Sequence, residues 1–140
     1  MARVMVCDDD EMTATRLVAA IRAAGHEAGT CRHTMDVLRG AVDGQFDLVV
    51  IGLDMAGFGR SGAVEALQEL APHVALIAIS REPLAVVDAA ALKGVAAVLP
   101  RPVSVSAFMR ACDSALGQKQ RLEARSPRVE ESAPPFINSL

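Results

Sequence analysis

The segment FDLVVIGLDMAG, residues 46–57, decides the fold of this chain. Residues 48–51 form an uninterrupted apolar run that is too short to span a membrane and has no helical spacing. Because Asp47 and glycines bound the run, it predicts a strand that is buried on both faces. Strands of this kind occur mostly in parallel sheets covered by helices. Open α/β sheets place their sites at the carboxyl ends of the strands, so residues 52–57 are predicted to lie at the functional edge.

The composition indicates one domain with an aliphatic core. Among the 140 residues, 51% are hydrophobic, yet there is no Trp or Tyr, so the core must consist of small and branched side chains. The net charge of −3 gives no reason to expect nucleic acid or an anionic membrane as a partner. The three cysteines, Cys7, Cys31 and Cys112, have no metal-ligand spacing and are typical of reduced thiols. With no signal peptide or membrane span in the sequence, we expect a cytoplasmic protein.

Strand and helix patterns alternate along the chain. Short apolar runs predict strands at residues 4–7, 48–51, 74–79 and 95–99, and residues 26–31 give a weaker strand pattern. Five segments show helical patterns. The first contains Leu17, Ile21 and Ala24, the second is residues 35–42 with Thr34 as its N-cap, and the third contains Val64, Leu67 and Leu70 with Ser61 as its N-cap. The fourth is residues 84–93, and the last begins at Ser104 or Ser106. This alternation predicts an α/β fold, a doubly wound five-stranded parallel sheet with five helices.

The composition changes after Gly117. Residues 1–117 are predicted to form the domain, and residues 118–140 an Arg-rich helical extension to about Arg125 followed by a Pro-containing tail.

Polar residues follow four of the predicted strands. Asp8 and Asp9 follow the first, residues 52–54 the third, Ser80 the fourth and Arg101 the fifth. Since the carboxyl ends of parallel strands meet at one edge, acids, a hydroxyl and a cation should converge there. Carboxylates suit Mg²⁺, and a hydroxyl with a cation suits the oxygens of a phosphoryl group.

Residues 3–116 resemble the receiver domains of bacterial response regulators. The resemblance rests on VMVCDDD at residues 4–10, DLVVIGLDMAG at residues 47–57, Ser80, and the Arg101-Pro102 pair. It implies a flavodoxin-like sheet with strand order 2-1-3-4-5 and a non-enzymatic role in a two-component phosphorelay. It also implies that Asp8 and Asp9 hold Mg²⁺, that Ser80 and Arg101 contact the phosphate, and that the Arg101-Pro102 bond is cis.

Three positions depart from the pattern of that family. Gly52 stands where the family has its phosphoacceptor Asp, Arg101 replaces a Lys, and Val98 replaces an aromatic residue. A glycine has no side chain to phosphorylate, so the sequence predicts a pseudo-receiver that binds no cofactor or binds Mg²⁺ only weakly. A salt bridge from Arg101 to the close carboxylates of Asp8 and Asp9 would then replace the metal.

Two alternatives remain open at this point. The interval from Asp54 to Gly62 matches the family's spacing after its acceptor, so Asp54 is a candidate substitute that would use Mg²⁺ on Asp8 and Asp9. Arg121, Arg125 and Arg128 form the second alternative, an anionic-nucleotide site in the extension, because guanidinium groups bind phosphates and stack on bases.

The partners implied by the resemblance are signalling proteins, either a histidine kinase or a downstream target. The family's partner surface comprises the fourth helix, fifth strand and fifth helix, here residues 83–116, and homodimerisation through this surface is a further expectation. Small residues give it a smooth face: Ala85, Val86, Ala89, Ala90 and Val98. No DNA-binding module or membrane partner is expected from the sequence.

Overall fold

The computed structural model describes residues 1–54, 62–81 and 93–125, which form a parallel sheet flanked by helices. The strands are β1 (Arg3–Cys7), β2 (Glu27–Cys31), β3 (Leu48–Gly52), β4 (Ala75–Ser80) and β5 (Ala97–Pro100). The helices are α1 (Glu11–Ala23), α2 (Thr34–Val42), α3 (Ala63–Leu70) and α4 (Val105–Arg125). No helix in these ranges is long and apolar enough to cross a membrane.

The sheet has the predicted order, β2-β1-β3-β4-β5, with every neighbouring pair parallel. β3 lies at its centre, and all five of its residues are buried, as expected for a continuous apolar run. The register aligns Cys7 with Ile51 and Gly52 with Ile79. The central strands therefore end at one level, which is the carboxyl edge of the sheet.

Successive residues of each strand serve opposite faces of the sheet, which gives two core clusters. The α1/α4 face contains Val6, Val50 and Ile79 under Leu17 and Phe108. The α2/α3 face is built on alternate strand residues and on the apolar sides of the other two helices: Cys7, Val49, Ile51, Leu76, Val37, Ala41, Val64 and Leu67. Both faces of the sheet are thus covered, as in a doubly wound fold.

The helix starts differ from two of the predicted caps. Thr34 is the first residue of α2, and His33 holds the N-cap position. At α3 the N-cap is Gly62, whose φ of 70° lies in the left-handed region that favours glycine, whereas the predicted cap Ser61 lies outside the described residues. Of the two starts proposed for the last helix, Ser104 is the one found, because its hydroxyl accepts a hydrogen bond from Ala107 N–H at 3.3 Å.

The described residues contain four helices, whereas the sequence predicted five. The difference is the helix predicted at residues 84–93, which lies almost entirely outside the described ranges. The last helix continues past residue 117 to Arg125 without interruption, as expected for the extension. Lys119 in this extension forms an ion pair at the amino edge of the sheet, where its Nζ is 3.7 Å from Asp47 Oδ1.

Candidate functional site

Four strands end at the candidate site on the carboxyl edge of the sheet, three of them next to polar side chains and one in a glycine. Asp8 follows β1, Gly52 ends β3, Ser80 ends β4 and Arg101 follows β5. Ser80 is buried, and its carbonyl accepts a hydrogen bond from Arg101 N–H at 3.3 Å, which joins the ends of β4 and β5. The Arg101–Pro102 peptide bond is cis, as the sequence predicted.

Asp8 and Arg101 form a buried ion pair at the centre of this edge. The Asp8 side chain is 1% exposed and that of Arg101 is 10% exposed. Arg101 Nη2 donates to Asp8 Oδ1 at 3.0 Å, while Nη1 lies 2.9 Å from Oδ2 without hydrogen-bond alignment. Burial alone would lower the pKa of Arg101, but the hydrogen bonds and charges of Asp8 and Asp54 more than offset it, so the pKa is raised.

Gly52 lies directly against this pair. A Cβ atom placed on Gly52 would be 2.9 Å from Arg101 Nη2 and 3.0 Å from Asp8 Oδ1. Position 52 therefore faces the acidic pocket, and the space that a side chain would fill is taken by the guanidinium group. The absence of a side chain at residue 52 is what allows Arg101 to reach Asp8.

Asp54 reaches the same site from the turn after β3. The strand ends at Gly52 and is not extended by two residues, yet Asp54 Oδ2 accepts a hydrogen bond from Arg101 Nε at 2.7 Å. Asp54 Oδ1 lies 3.4 Å from the backbone nitrogen of Arg81, a longer and weaker contact. With a side chain 23% exposed, Asp54 forms the outer part of the site. Arg101 is thus held between two carboxylates.

The start of α1 holds the Asp8 carboxylate in position through a backbone hydrogen bond. Asp10 holds the N-cap position, and its backbone N–H donates to Asp8 Oδ1 at 3.1 Å. The Thr13 hydroxyl donates to Asp10 Oδ2 at 2.5 Å, and this bond is the main reason that the pKa of Asp10 is lowered. The first turn of the helix therefore fixes both carboxylates through short local contacts.

The comparisons with known proteins agree with this architecture, although no family model matches the chain. The DNA-binding transcriptional regulator NtrC of Azospirillum brasilense is 26% identical over 137 residues, which cover 95% of this chain and 28% of that protein. Among solved structures, a response regulator receiver domain from Clostridium thermocellum superposes with a TM-score of 0.76 at 21% identity, covering 87% of this chain and 99% of that one. The CheY-like receiver domain protein from Methanospirillum hungatei gives 0.75 at 16% identity, with coverages of 86% and 98%.

The chain has the fold of a response-regulator receiver domain. NtrX from Brucella abortus, solved in complex with ADP, shares this fold with a TM-score of 0.78 at 17% identity, over 89% of this chain and 28% of NtrX. The chain therefore spans less than a third of the length of NtrC or of NtrX.

The residues at this site do not fit the Mg²⁺ that the receiver fold implies. A hard divalent cation needs several free oxygen ligands, but the guanidinium group of Arg101 lies against both oxygens of Asp8, with Nη2 donating to Oδ1 at 3.0 Å and Nη1 2.9 Å from Oδ2. Asp9 is exposed, and Gly52 offers no carboxylate. Within the described ranges, no three acidic, His or Cys side chains are grouped to hold a metal.

The predicted site residues fall into two groups. Asp8, Gly52, Asp54 and Arg101 meet at one point, with Ser80 at the adjacent strand end, whereas Asp9 is exposed and makes no described contact with them. Val98 is half-buried on β5 beside Ala78, but the other predicted surface residues, Ala85, Val86, Ala89 and Ala90, lie outside the described residues. The side chains of Arg121 and Arg125 are outside the described part of the structure, as is the whole of Arg128, so the nucleotide site stays a prediction.

Two functional contacts were missed by the sequence reasoning. It treated Gly52 and Asp54 as rival acceptor positions, whereas the structure brings both to the same cation. It also missed the backbone N–H of Arg81, for which a sequence carries no signal. Asp10 had a signal as an N-cap residue, because Asp is preferred there, but its side chain bonds the Thr13 hydroxyl and makes no cap hydrogen bond to the backbone.

Proposed function

We propose that this receiver domain is a non-enzymatic signalling module of a two-component pathway that acts by binding other proteins and is not phosphorylated at residue 52. The observation that carries the proposal is the position of Gly52. A side chain at residue 52 would point towards Asp8, and the guanidinium group of Arg101 already occupies that space. A phosphoryl group has neither an acceptor atom nor free space at this position.

The ion pairs also support a single conformation of the domain. Arg101 connects the end of β1, the turn after β3 and the end of β5, while Ser80 connects β4 to β5 through the backbone. Separating Asp8 from Arg101 would leave a buried charge without its partner, which costs about 3–5 kcal/mol. Control of such a domain would come from its abundance or from its partner rather than from phosphotransfer.

The proposed partner surface is the one that the resemblance indicated: the fourth predicted helix, the fifth strand and the last helix. Of these, β5 and the last helix, α4, lie within the described residues. A histidine kinase or a downstream target is the proposed partner, and a second copy of the chain is an additional one. Light scattering over a concentration series would distinguish the two, because self-association raises the mean mass with concentration, whereas binding of another protein requires that protein.

The proposal is tested with a small phosphodonor. Wild-type protein incubated with acetyl phosphate and Mg²⁺ should keep its intact mass, because Gly52 cannot accept a phosphoryl group. An acid-stable, base-labile increase of about 80 Da, one phosphoryl group, would refute the proposal. The matched control is Asp36→Asn, which changes an exposed carboxylate on α2 with no described contact to Arg101 and should behave as the wild type does.

A second candidate function is phosphorylation of Asp54 itself. The specific observation in its favour is that the Asp54 carboxylate is partly exposed and already lies against Arg101 and the Arg81 N–H. If wild-type protein gains the adduct, Asp54→Asn decides between residues. Loss of the adduct in that variant would establish Asp54 as the acceptor.

A further inference from the structure

We infer that Cys7 and Cys31 form a redox-active thiol pair, which a peroxide oxidises to a reversible disulfide within the chain. The two cysteines are the last residues of β1 and β2, and the register aligns one with the other. Both are free thiols in this structure. The inference goes beyond the proposed function, because it involves neither residue 52 nor Arg101 and gives the domain a chemical input other than a phosphoryl group.

The strand pairing brings the two cysteine side chains to the same face of the sheet. Cys7 is fully buried in the core of the α2/α3 face, and the half-buried Cys31 packs against that core. Neighbouring strands lie about 4.8 Å apart, and the Cα atoms of disulfide-bonded cysteines are usually about 4.4–6.8 Å apart. The backbone separation of an in-register pair therefore suits a disulfide between these two residues.

The end of β2 can adjust to the shorter Cβ–Cβ distance that a disulfide requires. Among the described strands, β2 lies at the edge of the sheet and pairs only with β1, and Cys7 with Cys31 is the last pair of their ladder. The Cys31 thiol donates to the carbonyl oxygen of His33 at 3.4 Å, a weak hydrogen bond because a thiol is a poor donor. A small movement of Cys31 towards β1 therefore gives up only weak contacts.

The difference in burial assigns an order to the two thiols. Cys31 is the accessible one and meets the oxidant first, whereas burial, followed by the charges of Cys31 and Asp8, raises the pKa of Cys7 and keeps its thiol protonated. Hydrogen peroxide oxidises the Cys31 thiol to a sulfenic acid with release of one water. The Cys7 sulfur then attacks the Cys31 sulfur, so that the S–S bond forms as the S–O bond breaks. The hydroxide that leaves takes the Cys7 proton and departs as a second water.

The experiment treats the native wild-type chain with a small excess of hydrogen peroxide, alkylates the remaining thiols and digests the protein with trypsin without reductant. Residues 4–16 and 23–32, which contain Cys7 and Cys31, should be recovered as one linked peptide that dithiothreitol separates. Exposed methionines such as Met12 also react with peroxide. The linked peptide is therefore the deciding measurement, and the intact mass is not.

The matched control is the third cysteine, Cys112, which is buried on the opposite face of the sheet. Cys112→Ala should still yield the linked peptide, whereas Cys7→Ala should leave Cys31 as a sulfenic or sulfinic acid. The wild-type digest decides the question even if a variant does not fold. Wild-type protein in which Cys31 becomes a sulfinic acid, or links to Cys31 of a second chain while Cys7 stays a thiol, would overturn the inference.

Discussion

Asp8 is the residue whose environment is the most costly to disturb, because its carboxylate is almost fully buried and one cation neutralises it. Replacing Arg101 by Met should lower the free energy of unfolding by about 3–5 kcal/mol, the usual cost of leaving one partner of a buried pair uncompensated. Arg101→Lys, which keeps the charge and loses the fork of donors, should cost less. Urea unfolding measures both.

The control for this prediction is the exposed ion pair between Arg32 and Glu11. Their side chains are 61% and 73% exposed, so Arg32→Met should change the unfolding free energy by less than about 1 kcal/mol. Similar losses in the Arg32 and Arg101 variants would mean that burial does not strengthen the dependence of Asp8 on its partner.

Gly52 provides a second test at the scale of one residue. The added methyl group of Gly52→Ala would meet Arg101 and Asp8 at 3.0 Å or less, and forcing such a shift typically costs about 1–3 kcal/mol. Gly29→Ala on β2 is the matched control, because its methyl group would find only Met5 Cε at 3.7 Å, an ordinary contact. A Gly52→Ala protein as stable as Gly29→Ala would show that Arg101 moves aside freely.

Asp10 gives a pH-dependent prediction. The pKa of Asp10 in the native state is lowered from 3.8, chiefly by the hydrogen bond from the Thr13 hydroxyl. This interaction therefore stabilises the native state above pH 3.8, and the stabilisation is lost as the pH falls through the native-state pKa. In Thr13→Val the pKa of Asp10 should rise towards 3.8. A carboxyl-carbon NMR titration of the two proteins measures the difference, and identical titration curves would contradict the assignment to Thr13.

At the scale of the elements, Ser104 determines how α4 begins. Its hydroxyl accepts from Ala107 N–H, so Ser104→Ala should lower the unfolding free energy by about 1 kcal/mol, the usual value for an N-cap. Ser106→Ala is the comparison within the same turn: its hydroxyl lies 3.3 Å from that of Ser104, and its loss should cost less than that of Ser104, because Ala107 N–H keeps its acceptor and alanine is the better helix former. Thermal unfolding ranks the two variants, and the reverse order would assign the cap to Ser106.

The sequence was a better guide to the existence of elements than to their ends. The buried strands were predictable because apolar runs without helical spacing leave few alternatives, and β3 starts at Leu48 as expected. β5 begins at Ala97 and not at Val95, which packs against the α2/α3 face before the strand starts. Ala24 was expected on the buried side of α1, but the helix ends at Ala23 and Gly25, with φ of 92°, turns the chain.

The site was predictable in its location and only partly in its contacts. Asp8 and Arg101 follow strands that end at the same edge, so their pairing follows from topology. The Asp54 contact could not be predicted, because it depends on the turn after Gly52, where neither strand alternation nor helical spacing constrains the side chain. The Arg81 N–H belongs to the backbone and is independent of residue type.

At the scale of the whole molecule, the three thiols report whether the two faces unfold together. Burial raises the pKa of Cys7 on the α2/α3 face, and burial followed by the charge of Asp113 raises that of Cys112 on the α1/α4 face to about 12. At pH 8, only the half-buried Cys31 should react rapidly with a thiol reagent in the native protein. In a Cys31→Ser background, Cys7 and Cys112 should become reactive over the same urea range, and separate ranges would indicate faces that unfold independently.

The closeness of Gly52 to Arg101 also constrains how this lineage could evolve. Introducing an acidic residue at position 52 by one substitution would place new atoms against the guanidinium group, while changing Arg101 first would remove the only cation beside Asp8 in the described part of the chain. Either order passes through a less stable intermediate, and marginally stable proteins tolerate few such losses. A carboxylate at residue 52 therefore requires two coordinated substitutions, one at residue 52 and one at Arg101.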